Sequence, residues 1–287
     1  MIGQMELLRT IDDMIDDDIF PRFSVIQGAD GSGKSLVVEH IKEQLNDSYM
    51  VVMNNSVDSV RNAMERAYAT TIPLVFYFPD ADIMSQSAKN ALLKITEEPP
   101  NKAYFILTVV NEDSLPNTIR SRATIFRMEP YSPMDLSNYM YETYPKESDE
   151  FIKLAYQICD NPGEINLLHK NGASALWMFV NKVMDNIAEV SVSNALKIAD
   201  KIAFKDEDED GKFNLTLFWK SVIVYCCMDL ADKTISTEEL RVKARVVMST
   251  KDCIDMITKV RGANKRNAFD IWLLDVRDIL GEEYGSN

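Results

Sequence analysis

The chain has 287 residues, 46% hydrophobic and 26% charged, enough for two or three small domains with cores of their own. Its formal net charge of −14 argues against a subunit that grips DNA by itself, because nonspecific duplex binding comes from lysines and arginines neutralising phosphates; any nucleic-acid contact is expected to be local or delegated. No apolar run approaches the roughly 20 residues of a membrane span, and the N-terminal stretch lacks both a basic region and an apolar signal core, which predicts a cytoplasmic protein with no membrane partner.

In chain order, Ile2-Gly3-Gln4 precedes a helical stretch from Met5 to Asp16, with acidic residues at Asp12-Asp13 and Asp16-Asp17-Asp18. Phe23 to Gln27 reads as a strand, Gly28-Ala29-Asp30-Gly31-Ser32-Gly33-Lys34-Ser35 as a loop, and Leu36 to Leu45 as a helix. That is the context a GxxxxGK(S/T) phosphate loop requires. Gly28, Gly31, Ser32 and Gly33 let consecutive backbone N–H groups turn toward a phosphate, and the helix N-terminus adds a favourable dipole. Lys34 would meet the β and γ phosphates and Ser35 would offer its hydroxyl to magnesium. The alternative is a glycine-rich turn with no ligand, which the full set of fixed residues in the right context disfavours.

Further strands are predicted around Met50 to Met53, from Leu74 to Phe78, from Tyr104 to Val110 and from Thr124 to Arg127. Between the second and third of these, Ala88, Ala91, Leu92 and Ile95 fall at helical spacing, and Pro99-Pro100 stops the helix. The run Leu115-Pro116-Asn117-Thr118-Ile119-Arg120-Ser121-Arg122 then sets two arginines beside Ser121. Strands alternating with helices over residues 1–130 predict a parallel α/β sheet. Short helices follow over 131–172, and 173–280 is helical, with Leu176, Phe179, Val180 and Val183 on one face and Phe269, Trp272, Leu273, Val276 and Leu280 on another. Residues 281–287 are expected to form a disordered tail. Asp206 to Asp210, followed by Gly211, is expected to be a solvated loop, since its carboxylates lack calcium-loop spacing. Cys159, Cys226, Cys227 and Cys253 lack CxxC spacing and are read as buried free thiols.

The segment Ser87 to Phe126, SAKNALLKITEEPPNKAYFILTVVNEDSLPNTIRSRATIF, resembles the clamp-loader branch of the AAA+ ATPases, whose members carry an N-A-L-L-K-x-x-E-E-P-P helix and an L-P-x-T-I-x-S-R-C segment. The resemblance implies an AAA+ P-loop domain with a parallel sheet, a small helical lid domain and an all-helical C-terminal collar domain. The layout is most similar to the delta-prime family of bacterial DNA polymerase III subunits, strongly over residues 1 to about 170. Beyond them only helical character and Asn264-Lys265-Arg266-Asn267 before an apolar helix agree. Ile2-Gly3-Gln4 resembles the family's N-terminal element near the adenine. Where the family has an Asp for the magnesium shell and a Glu to polarise water, this chain has Pro79 and Asp80. Asp80 is one methylene shorter than Glu and is a possible residual acidic site. Asp82 could substitute, although an N-cap for the helix that follows or an acidic loop residue is the preferred reading. The family's polar residue at the end of the fourth strand aligns with Val110, Asn111 lies one residue later, and the lid arginine of a G-x-x-R element is replaced by Asn166.

By the same resemblance Arg122 is an arginine finger reaching a neighbour's ATP, against the alternative of an ordinary surface ion pair. The implied function is a clamp-loader subunit that helps load the sliding clamp onto primed DNA. It would bind ATP or ADP with weak or no magnesium, would show no turnover of its own, and would join other loader subunits in a hetero-pentamer that supplies the DNA contact. Residues 36–78 contain no Cys, so the zinc module of many relatives is not expected. The alternatives are an active motor subunit of the same loader and a P-loop kinase, the latter leaving the Ser87 to Phe126 segment without a reason.

Overall fold

The computed structural model describes residues 3–45, 48–191, 214–228, 235–259 and 263–284, so the acidic run Asp206 to Asp210 and residues 285–287 lie outside it. The chain divides into two compact units, Met1–Tyr139 with Asn161–Gly163, and Met140–Asp160 with Glu164–Asn287.

In the first unit, α1 (Met5–Asp16), β1 (Phe23–Gln27), α2 (Lys34–Gln44), β2 (Tyr49–Val52), α3 (Val57–Ala69), β3 (Leu74–Phe78), α4 (Gln86–Glu97), β4 (Ala103–Val109), α5 (Asn117–Arg120) and β5 (Thr124–Arg127) follow one another. The strands pair in parallel in the order β2-β3-β4-β1-β5. The chain runs from β1 to the far edge, returns through β3 and β4, and passes over β1 to β5. The loops after β1, β3 and β4 therefore meet at the carboxyl ends of the central strands, where open α/β sheets hold ligands.

Side-chain parity sorts the strands between two cores. Leu74, Phe76 and Phe78 of β3 and Phe105, Leu107 and Val109 of β4 pack with Val60, Ala63, Ala88, Leu92 and Ile95 of α3 and α4. Val75 and Tyr77, with Tyr104 and Ile106, face Ile11 of α1 and Val37, Val38 and Ile41 of α2. Cover on both faces is why these strands read as unbroken apolar runs. Each fully buried Phe, Ile, Leu or Val contributes about 1.5–3 kcal/mol relative to exposure. Serines start the covering helices: Ser56 Oγ accepts from Ser59 N, and Ser85 Oγ from Ala88 N. Ser85 caps α4, so of the two expectations for Asp82 the helix cap is excluded and an acidic residue in the turn before the helix remains.

The second unit contains the end of α6 (Pro133–Thr143) from Met140 onward, then α7 (Asp149–Ile158), α8 (Pro162–Asn171) from Glu164 onward, α9 (Ala173–Asn186), α10 (Leu215–Cys227), α11 (Thr237–Lys259) and α12 (Lys265–Tyr284). Its core gathers Phe218, Trp219, Phe269 and Trp272, with Phe218 edge-on to Trp272 at 5.4 Å between ring centroids. Trp272 Nε1 donates to Thr250 Oγ1 at 2.9 Å, so that indole is buried without losing its hydrogen bond. Lys220 of α10 donates to Asp160 at 2.6 Å and Glu164 at 2.7 Å; burial works against its charge, but the two carboxylates outweigh it and raise its pKa. Cys159, Cys226 and Cys253 are buried, and burial pushes the Cys226 and Cys253 thiols up to about 12 and about 11. Cys227 is exposed, correcting the expectation that all four thiols are buried, because adjacent helical residues point about 100° apart. Helix α12 runs to Tyr284, past the expected start of a tail at 281.

Candidate nucleotide site

The phosphate loop connects β1 to α2 by backbone geometry that side chains resist. Gly31 has φ +78° and Gly33, the N-cap of α2, has φ +93°. Lys34 opens α2 and is 7% exposed, its Nζ donating to the carbonyls of Gly28 at 2.8 Å and Ala29 at 2.9 Å and lying 3.5 Å from Asp30 Oδ1. The lysine is thus folded into the loop, not held out from it. Ser32 is also buried, and its carbonyl accepts from the Tyr131 hydroxyl at 2.6 Å. Burial, then Asp135 and Tyr139, raise the Tyr131 pKa and keep it a donor. Gln4 exchanges two hydrogen bonds with the backbone of Glu129, at 2.7 and 3.0 Å, tying the segment before α1 to the chain just after β5.

A second contact supports the loop from outside. Gly163 N donates to Gly31 O at 3.0 Å, and the backbones approach so closely that a Cβ on Gly163 would sit 2.4 Å from Gly31 Cα. Buried Asn161 completes this turn, and a Cβ on Gly31 would come within 2.6 Å of its Oδ1. A helix N-terminus, two glycines in the left-handed region and a lysine fit a bound phosphate.

The strand ends beside the loop are different. Pro79 follows β3 and brings no side-chain oxygen. Asp80 has φ +53°; its N–H donates to Thr108 Oγ1 at 3.1 Å, and its carbonyl, with that of Pro79, accepts from Asn55 Nδ2. Ser35 Oγ lies 3.1 Å from the Tyr77 hydroxyl, which lies 3.4 Å from Thr108 Oγ1. Asp82 accepts from Val110 N at 2.9 Å, Asn111 N at 3.2 Å and Ser114 Oγ at 3.1 Å, so its carboxylate anchors the turn after β4. Asn111 in turn accepts from Asp113 N at 2.9 Å. Among the described residues no three His, Cys, Asp or Glu side chains gather as metal ligands. A proline, a phenol and a threonine around Ser35 do not fit a magnesium shell, which draws on carboxylates and water.

Three comparisons bear on this arrangement. A family model described as DNA polymerase III, delta subunit, matches residues 53–132, the stretch from the end of β2 to the start of α6. The DNA polymerase III subunit gamma of Buchnera aphidicola subsp. Schizaphis graminum is 30% identical over 105 residues, 36% of this chain and 29% of that protein. The DNA polymerase III subunit delta' of Yersinia pestis is 39% identical over 69 residues, 23% of this chain and 20% of that protein. Over this stretch the chain is similar to clamp-loader subunits of DNA polymerase III. It spans under a third of the length of these curated relatives. The RuvB Holliday junction branch migration motor of Thermotoga maritima, 13% identical, shares the fold at a TM-score of 0.50 over 95% of this chain and 87% of that one.

The remaining residues that clamp-loader resemblance singled out fall outside the loop. Arg122, its side chain 40% exposed, donates to Thr118 O at 2.8 Å and lies 3.3 Å from Glu97 at the end of α4, whereas Arg120 is more enclosed and bonded to Asp113 and Asn117. Asn166, in the second unit, accepts from the Tyr144 hydroxyl at 2.8 Å. Tyr77, Thr108 and Tyr131 were missed in the sequence. For the first two the signal was parity: in β3 and β4 they occupy the same alternating positions as Val75 and Ile106, on the α2 face.

Proposed function

We propose that this chain is a delta-prime-type subunit of a bacterial replicative clamp loader, one that holds a nucleotide without turning it over and helps place the sliding clamp on primed DNA. The observation that carries this reading is the contrast inside one site. Gly31, Gly33 and Lys34 keep the geometry of a phosphate loop, while Pro79 and the Ser35, Tyr77 and Thr108 hydroxyls stand where phosphoryl transfer needs a metal shell and an acid that positions water. Nucleotide contact falls to Gly28, Gly31, Ser32, Gly33, Lys34 and Ser35, with Asp80 a short carboxylate at its margin.

The chain's chemical contribution is Arg122, offered to the ATP of an adjacent subunit in a hetero-pentameric ring. Its guanidinium is half exposed, and its ion pair to exposed Glu97 is the sort worth about 0.2–1 kcal/mol, readily exchanged for a phosphate. Residues 1–130 would serve as the ATPase-like domain, 131–172 as the lid and 173–280 as the collar that joins the ring, all in the cytoplasm. No helix among the described residues is long and apolar enough to cross a membrane.

Steady-state ATP turnover by the purified chain tests the reading. Negligible turnover together with nucleotide binding is expected; a rate near 1 per second, abolished by Lys34→Ala, would make it an active motor subunit, since enzymes commonly run at roughly 1 to 1,000 per second.

A further inference from the structure

The hydroxyls beside the loop form a chain with a direction. Thr108 is buried at 1% exposure, and its oxygen accepts from Asp80 N, a group that can only donate. The buried threonine proton needs an acceptor, and the Tyr77 oxygen at 3.4 Å supplies one. Tyr77, 6% exposed and held by the α2 core, lies 3.1 Å from Ser35 Oγ; if it accepts from Thr108, its own proton goes to Ser35 and the Ser35 proton stays outside the chain.

A serine in this state is a donor aimed at a phosphate oxygen. One lone pair remains for a magnesium ion, so what disfavours the metal is its missing shell: Pro79 brings no side-chain oxygen where a carboxylate would complete it. Without a divalent cation the charge of a nucleotide is met by Lys34, the loop amides and the α2 dipole alone, which suits a diphosphate better than a triphosphate carrying one more negative charge.

Resting on the nucleotide-binding reading above, we infer that Tyr77 takes the place of the metal: it orders the Ser35 hydroxyl as a phosphate donor, and the site is one for a nucleoside diphosphate bound without magnesium. Tyr77 acts here as a positioning residue.

Calorimetric titration of the full chain with ADP and with ATP, each in magnesium chloride and in EDTA, tests this on the unaltered protein, Tyr77→Phe, Ser35→Ala and the double variant. ADP is expected to bind within about threefold in the two buffers and more tightly than ATP in EDTA. Tyr77→Phe keeps the ring in the core and should weaken ADP in EDTA by about 3- to 10-fold, the range for one hydrogen bond. On the Ser35→Ala background the same change should cost nothing further, because the phenol acts through that hydroxyl. A tenfold gain of ADP affinity with magnesium overturns the inference while leaving nucleotide binding intact, as does ATP equal to or tighter than ADP in EDTA, or a Tyr77→Phe loss that persists without Ser35. A chain that melts cooperatively yet binds neither nucleotide in either buffer overturns the nucleotide-binding reading and this inference together.

Discussion

The phosphate loop and the ends of β3 and β4 share one edge of the sheet, yet they have fared differently. The loop keeps left-handed glycines, a lysine and a helix N-terminus, a set that fits a phosphate. The strand ends carry a proline, a phenol and a threonine in a hydroxyl chain, and Asp82 is spent on the backbone after β4. Holding a nucleotide and cleaving it therefore draw on separable groups. Binding needs a shaped backbone and positive charge, whereas phosphoryl transfer needs a metal and an acid placed to within a fraction of an ångström. On the proposed reading this subunit has lost the second set, keeps the first, and serves its neighbour through a residue outside both.

That last point gives the largest expected effect. Arg122→Ala should leave folding and nucleotide binding by this chain nearly unchanged, but lower turnover at the one neighbouring site it serves by on the order of 10³ to 10⁵. Total ATPase of the reconstituted loader would fall in part and clamp loading further. Equal loading by complexes of equal stoichiometry would reduce Arg122 to a partner of Glu97 and Thr118.

Gly163→Ala probes how far the loop depends on its outer support. The new methyl would sit 2.4 Å from Gly31 Cα, and backbone cannot swing aside as a side chain does. A loss of about 3 kcal/mol or more is expected, at the upper end for overpacking, read as a lower melting temperature and weaker nucleotide binding. Unchanged melting would mean the Asn161 to Gly163 turn yields freely.

Lys34→Ala follows. Losing a cation's hydrogen bonds to phosphate should weaken nucleotide binding by about 10- to 100-fold. Because the amine is folded onto the Gly28 and Ala29 carbonyls, stability should also drop, by about 1 kcal/mol. Calorimetry paired with thermal melting separates the two, and unchanged affinity would make the loop a purely structural turn.

The smallest effect is expected from putting an acid back. Pro79→Asp should raise ATP turnover by less than about tenfold over background, since a single group seldom restores a set that acts as a unit. Turnover near 1 per second in this variant would break the comparison, because one residue would then separate holding from cleaving.

Much of this was legible in the sequence. The alternation of strands and helices, the stop at Pro99-Pro100 and the glycines of the loop are local features, set by periodicity, φ preference and ring closure. Lys34 was legible as the lysine of a GxxxxGK(S/T) loop but not as a buried side chain, because its burial follows from the loop curling back over its amine. Asp82 was legible as a helix cap or an acidic loop residue but not as the anchor of the turn after β4, because its partners, Val110 and Asn111, lie 28 and 29 residues away.

By itself the sequence determined the parallel sheet, the glycine-rich loop between β1 and α2 and the absence of an acid at position 79, since each rests on residues adjacent in the chain. Only the tertiary structure decided what stands in their place. Ser35, Tyr77 and Thr108 come from α2, β3 and β4, and they meet because the strand order sets β3 beside β4 while parity turns both side chains toward α2. Gly31 and Gly163 are likewise brought into backbone contact across more than a hundred residues, and hydrogen bonds over such separations are set by packing, which no local pattern records.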